Sequence, residues 1–553
     1  MSKLSKLCGA AIGALILGSA AASAWAGGMI AISGDPVPTQ GGPVAGTRLE
    51  SGVKAYLGIP FAKPPVQDLR WKPPEPISWK GTWNADRKGP ECMQVLRPHN
   101  INHYFGEEPS SEDCLYLNLW TPPAAKPGAK LPVIVFIYGG GNTIGSSGMA
   151  NYDGEAVARR GAVFVNFNYR VGVLGFMAHP ELSKEQGGHS GDYAYLDQNA
   201  ALRWVHDNID KFGGDPSKVV IIGQSAGAGG VIAQLFSPLS KGLFRGAVMS
   251  SACNFASDAQ PLAEGEQNGL AIQKRLGAAS LDDMRQIPAD KIIAIQSENQ
   301  VGTNVQGVRA GPVIDGYFAP KTKRATLEAH EFNDVPIIAS SNHEDLDFNA
   351  SPLTKARTVA DYQAVVAKMY GADAPAFLKL YPVSTDADVA AMAGKAAREG
   401  GMGASGRGCA QLQSKYNRSA AYIDIYTHHH PYAPGVKIAD QDTATAGAYH
   451  TSDMPYWFGT LDKYNMFRTT RVWQPWDRTL SDQMMDTLIA LANTGSPSTS
   501  AVAWPAWSAK AEQKVEFGDK VAVVKLDTER MDWLAAHPAA AVAGPPQRTG
   551  PRD

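Results

Sequence analysis

The sequence predicts an α/β fold, a mostly parallel central sheet flanked by helices with long loop insertions. Three observations predict it. Continuous apolar runs alternate with helix-period segments through the first half of the chain, as parallel strands buried on both faces require. The first of these runs, at 131–138, ends in Gly139-Gly140-Gly141. And Val219-Val-Ile-Ile222 runs into Gly223-Gln-Ser225-Ala-Gly227, a strand, sharp turn and helix start in succession.

The elements follow in order. Residues 131–138 form an uninterrupted apolar run and predict a doubly buried strand, closed by Gly139-Gly140-Gly141. Residues 163–169 predict a second strand, with Asn166 and Asn168 alternating in a period of two. In 196–212, Leu202, Val205, Ile209 and Phe212 recur at helical spacing before Gly213-Gly214-Asp215-Pro216 stops the helix. The elbow strand comes next, then a helix to about Phe236 and a strand at 246–250. Strands at 335–341 and 422–427 complete the pattern, which predicts right-handed crossovers.

Composition bounds the rest. The 553 residues are 44% hydrophobic and 19% charged, and the 56 glycines and 37 prolines are spread along the chain. That fits one loop-rich domain over residues 27–553, with a flexible tail from about residue 536. The net charge of −2, or −4 without Lys3 and Lys6, argues against a nucleic-acid partner or an anionic membrane surface. Lys3 and Lys6, the apolar stretch at 7–22 and Ala24-Trp25-Ala26 read as a cleavable secretory leader spanning residues 1–26. Export to the periplasm or the medium follows from it. No later stretch reaches about 18 consecutive apolar residues, so no stable membrane insertion is expected. Without Cys8 four cysteines remain, an even number that suggests disulfides in an oxidising compartment. Cys92 and Cys114 would close a short loop; Cys253 and Cys409 either pair or stay as buried thiols.

The chemistry centres on Ser225. A strand–Gly-x-Ser-x-Gly–helix sequence lifts a serine hydroxyl out of the backbone. That hydroxyl needs a base to take its proton and a third group to orient the base. In this chain order the acid should follow a later strand, and Asn342-His343-Glu344-Asp345-Leu346-Asp347 does so. Glu344, Asp345 and Asp347 therefore compete for the role. His450, flanked by small residues and followed by an aromatic segment, is the candidate base. Gly140, Gly141 and Ala226 can turn bare amides toward a developing oxyanion. His428-His429-His430 reads as a turn, because adjacent residues cannot all point at one ion. The mechanism needs neither metal nor cofactor.

Together these features resemble the type-B carboxylesterases, the cholinesterase-like esterases and fungal lipases of the α/β-hydrolase fold. The match rests on Leu57-Gly-Ile-Pro-Phe-Ala62, Leu69-Arg-Trp71, Ser111-Glu-Asp-Cys-Leu-Tyr-Leu-Asn118, Tyr138-Gly-Gly-Gly141, Asn168-Tyr-Arg170, Phe212-Gly-Gly-Asp-Pro216, the elbow, Pro312-Val-Ile-Asp-Gly316 and the His450 segment. The resemblance implies Glu344 as the acid, His450 as the base and Cys92–Cys114 as the first disulfide. It also implies that Ser250 supports the triad from behind, hydrogen-bonding near Glu344. The implied activity is hydrolysis of small-molecule carboxylic esters through an acyl-enzyme. The alternatives are a lipase on long acyl chains and an adhesion-type member that has lost its nucleophile. Departures are informative: Gln224 stands where many relatives carry glutamate, and Asn142 where an aromatic is common. Between Cys92 and Cys114 there is no tryptophan to stack on a quaternary cation, only His103-Tyr104-Phe105, so choline esters are not the expected substrates.

Overall fold

The computed structural model describes residues 30–95, 109–297 and 310–540. The leader, His103-Tyr104-Phe105 and the last part of the expected tail lie outside the described residues.

An 11-stranded sheet organises the chain. Its strands are β1 (Thr47–Arg48), β2 (Lys54–Pro60), β3 (Tyr116–Thr121), β4 (Leu131–Ile137), β5 (Val163–Phe167), β6 (Gly214–Gln224), β7 (Gly246–Ser250), β8 (Ile337–Ser340), β9 (Ala421–Tyr426), β10 (Gln513–Phe517) and β11 (Val521–Lys525). In space they run β11-β10-β9-β8-β7-β6-β4-β5-β3-β2-β1. From β5 to β10 every neighbouring pair is parallel. Antiparallel strands close both flanks, β3, β2 and β1 on one side and β11 on the other. The mostly parallel sheet expected from the apolar runs is what forms: β7 is buried at all five positions and β4 at all but its first.

The helices that matter for the site are α1 (Tyr193–Asn208), α2 (Ala226–Phe236), α3 (Leu346–Ala350), α4 (Asp386–Gly400), α5 (Met402–Tyr416), α6 (Met454–Phe458) and α7 (Thr528–Ala536). The helix expected at 196–212 begins at Tyr193 and tightens into a 3₁₀ turn, Ile209–Phe212, before Gly213 adopts φ 93°. After α7, His537 stacks on Trp533, and the Ala540 amide donates to Met369 O at 2.9 Å.

Strand order sets where a site belongs. The chain passes from β4 outward to β5, then returns across β4 to β6. Between β4 and β6 the winding reverses, and ligands of open α/β sheets bind at such a point, beyond the carboxyl ends of the strands. The Gly139–Gly141 run and Ser225 both follow these two strands directly. Cys92 pairs with Cys114, and Cys253 pairs with Cys409, tying the segment after β7 to α5. No helix among the described residues is long and apolar enough to cross a membrane.

Candidate active site

Ser225 sits at the join of β6 and α2 with φ 55° and ψ −125°, a conformation that L-residues rarely adopt. Neighbouring backbone holds it there. The Ser225 amide donates to Ser250 O at 2.8 Å, and its carbonyl accepts from Gly229 N at 3.1 Å. The turn also needs bare backbone beside it. A Cβ on Gly227 would overlap the carbonyls of Ile137 and Tyr138, where β4 passes under the elbow. Ser225 itself stays partly exposed while Gln224 and Gly227 are buried.

The glycine run after β4 turns through Gly140 at φ 121° and Gly141 at φ 63°. Gly140 O accepts from Thr143 N at 3.1 Å and Ile144 N at 3.2 Å, which closes the loop tightly. Among the described residues, no backbone acceptor takes the amides of Gly140, Gly141 or Ala226. These three N–H groups are the expected oxyanion donors, and the fold leaves them uncommitted. Asn142, also at positive φ, is fixed by donation from Gly172 N to its carbonyl at 2.6 Å.

His450 lies on the loop between β9 and α6. Its carbonyl accepts from the Gln224 side-chain amide at 3.0 Å and from Ser251 Oγ at 3.4 Å, so the loop is tied to the residue just before Ser225. The imidazole Nδ1 hydrogen-bonds Asp345 Oδ1. Asp345 is fully buried, and its carboxylate also accepts from Leu346 N at 2.8 Å and Asn342 N at 3.1 Å. The Nδ1–Asp345 contact leaves Nε2 as the ring nitrogen free to exchange a proton. Nε2 is buried and unpartnered among the described residues.

The pair expected from the resemblance, Glu344 with His450, does not form. Glu344 bonds His343 Nδ1 at 2.5 Å and accepts from Ala448 N at 2.8 Å. The reason is local. Glu344 makes a parallel bridge with Tyr449, and its own amide donates to Ala448 O at 3.0 Å. In such extended backbone, consecutive side chains point to opposite sides. Facing Glu344 toward residue 448 therefore turns Asp345 toward His450. Burial pushes the Glu344 carboxyl up, but His343 and the Ala448 amide outweigh it and hold the group below the usual range. Asp347 accepts from Met402 N at 2.6 Å, away from His450.

Ser250 likewise meets a different carboxylate. Its hydroxyl donates at 2.9 Å to Asp453, not to Glu344. Asp453 is fully buried and also accepts from Asn342 Nδ2 at 3.0 Å and Trp457 Nε1 at 3.1 Å. Burial pushes its pKa up to about 6, with Asn342 and Ser250 opposing and the nearby Asp345 charge adding to it. Asn342 thus joins the two carboxylates, by its backbone to Asp345 and by its side chain to Asp453. Sequence reasoning missed Asp453 and ranked Asp345 second. The available signal was Asp345 as the N-cap of α3, a position that draws a carboxylate back onto backbone amides. The three adjacent histidines diverge: His428 bridges Asp477 and Asp519, His429 is exposed, and His430 Nε2 meets Ser452 O at 2.7 Å.

A model of the carboxylesterase family matches residues 33–533. Fumonisin B1 esterase of Sphingopyxis macrogoltabida is 39% identical over 358 residues, covering 64% of each chain. This chain thus spans less than two thirds of that relative's length. Para-nitrobenzyl esterase of Bacillus subtilis (strain 168) is 29% identical over 496 residues, 88% of this chain and 95% of that one. A solved PNB esterase structure superposes with a TM-score of 0.72 at 29% identity, covering 90% of this chain and 99% of the other. A sheet with its switch point under a strained serine, and a family match that runs from before β1 to α7, lead to one conclusion: the chain belongs to the carboxylesterase family.

Proposed function

We propose that this protein hydrolyses small-molecule carboxylic esters through an acyl-enzyme, with Ser225 as nucleophile, His450 as base and Asp345 as the acid that orients it. The observation that carries the reading is the His450 Nδ1–Asp345 hydrogen bond on a loop tied to the strained elbow of Ser225. Ser225 Oγ attacks the ester carbonyl while His450 Nε2 accepts its proton. Gly140, Gly141 and Ala226 donate backbone N–H groups to the oxyanion. Collapse of the tetrahedral intermediate expels the alcohol, which takes the proton from His450. Water then attacks the acyl-enzyme by the same base. Asp345 fixes the tautomer with Nε2 bare and stabilises the imidazolium at each transfer. Relatives named for fumonisin B1 and para-nitrobenzyl substrates support a small ester substrate. Residues 1–26 act as an export leader in this reading, which agrees with two disulfides.

The test is kinetic, with purified protein and a chromogenic ester. Ser225→Ala should lower kcat by about 10⁶. Asp345→Asn should lower it by roughly 10⁴, because the amide favours the wrong tautomer. Glu344→Gln should stay within about tenfold of the parent, since it removes no contact to the base. Full activity in Ser225→Ala sinks the mechanism; a larger loss in Glu344→Gln than in Asp345→Asn reassigns the acid.

A further inference from the structure

A cavity of about 380 Å³ flanks α2, walled by Ile232 and Phe236 of that helix and by Val313 and Phe318 across from it. Its size and apolar wall are those of a small-molecule pocket. The surface of α2 connects it to Ser225. Of that helix only Ala226, Gly229 and Ala233 are not buried. They follow Ser225 at intervals of about one turn, so a stripe of small, accessible residues leads away from the serine. Gly229 and Ala233 line the cavity. Ser225 and Ala233 are about 12 Å apart along the helix axis.

Gly229 is the telling position. The glycines beside it are required by packing: a Cβ on Gly227 would overlap the Ile137 carbonyl, and one on Gly230 the Gln198 side chain. A Cβ on Gly229 would meet nothing among the described residues within 4 Å. Glycine inside a helix costs stability relative to alanine, and no described neighbour demands it here. The wall carries a second mark. Asp192, 2% exposed, accepts from Val313 N at 3.2 Å through Oδ1, while its Oδ2 is buried and unpartnered among the described residues. Burial, with the nearby Asp315 charge, pushes this carboxyl well above the usual range, so it is neutral and able to donate. A molecule filling the space beside such an orphan satisfies it. The charged groups at the rim are committed: Lys321 pairs with Glu331 at 2.8 Å, and Lys323 donates to Ser257 O and, by its amide, to Asp258.

We propose that this cavity binds the acyl limb of the ester, a chain of several carbons, and that Gly229 and Ala233 set the length it admits. The inference rests on the ester-hydrolase reading above. In that reading the leaving alcohol lies beside His450, which returns its proton. The cavity is bordered by neither His450 nor its loop, so the acyl limb is the one that enters it.

Rates of the purified full-length chain on para-nitrophenyl acetate, butanoate and octanoate test it. In the parent, kcat/KM should rise about 30-fold or more from acetate to octanoate, as successive methylenes leave water. Gly229→Leu, whose side chain enters open space near Ser225, should lower the octanoate-to-acetate ratio by about tenfold or more. Ala233→Phe, one turn deeper, should lower the octanoate-to-butanoate ratio by about as much and move the butanoate-to-acetate ratio far less. A merely structural defect would lower all three rates alike, and either variant carries the comparison should the other misfold. A parent profile that is flat or falls with length, or length ratios unmoved in the folded variants, overturns the proposal. Ser225→Ala separates the two readings. A flat profile with Ser225→Ala inactive removes this inference alone, whereas an active Ser225→Ala removes the mechanism and this inference with it.

Discussion

Gln224 is the residue whose chemistry departs most tellingly from a carboxylate. It is 2% exposed and spends its side-chain amide on the carbonyl of His450. A glutamate there would turn a negative oxygen toward that carbonyl in a desolvated space, where repulsion is strong. Gln224→Glu should therefore cut kcat by about 10- to 100-fold with little change in KM, because a 1 Å displacement of the base is enough. The loss should narrow as pH falls, since a protonated carboxyl can again donate to the His450 carbonyl. Equal losses at every pH would mean that the hydrogen bond is not what matters. Asp345 gives the complementary lesson. Its role depends on which of two adjacent acidic side chains faces the base, and a bridge between residues 344 and 449 decides that. Parity of this kind is set by pairing between distant loops, which explains why 342–347 presented three candidates and the resemblance favoured Glu344 among them.

At the level of elements, the loops after β7, β8 and β9 meet at Asp453. Ser250 ends β7, Asn342 follows β8, and Trp457 belongs to α6, so one buried carboxyl collects a donor from each. Its pKa is raised to about 6 from an ordinary 3.8, so the folded state holds the proton more tightly than the unfolded chain. This contribution is fully present below about pH 4 and lost as pH rises through about 6. Urea unfolding of the parent and Asp453→Asn at pH 4.5 and 7 measures it. The parent's advantage should be about 2 kcal/mol larger at the lower pH, and a pH-independent difference would refute the coupling. The strands around this junction were legible because β-branched runs buried on both faces announce themselves without help from context. β1–β3 and the β10–β11 pair were not read as elements, since they are short or mixed and gain their order from the sheet edges they join. The helices between Leu346 and Tyr416, which pack partly as a separate apolar cluster, carry no signal linking them to the site.

For the molecule as a whole, one contiguous core runs from Ile32 to Phe517 and includes both sides of the central sheet. The N-terminal motifs that carried the family resemblance serve this body rather than the chemistry. Arg70 grips Glu112 with two bonds of 2.6 Å, and Trp71 Nε1 donates to Val173 O at 2.9 Å, beside the Cys92–Cys114 link. Ser225, by contrast, draws on that body. At φ 55° its Cβ costs roughly 1–3 kcal/mol, a burden that the surrounding packing sustains. Replacing Ser225 with glycine should release that torsion and raise the unfolding free energy by about 1 kcal/mol after the extra freedom of the unfolded glycine is counted. Ser225→Ala, which keeps the β-carbon, should show no such gain in denaturant melts. The glycine form should thus outlast the parent in hot or denaturing conditions, which makes durability and the proposed reactivity rivals at a single backbone angle.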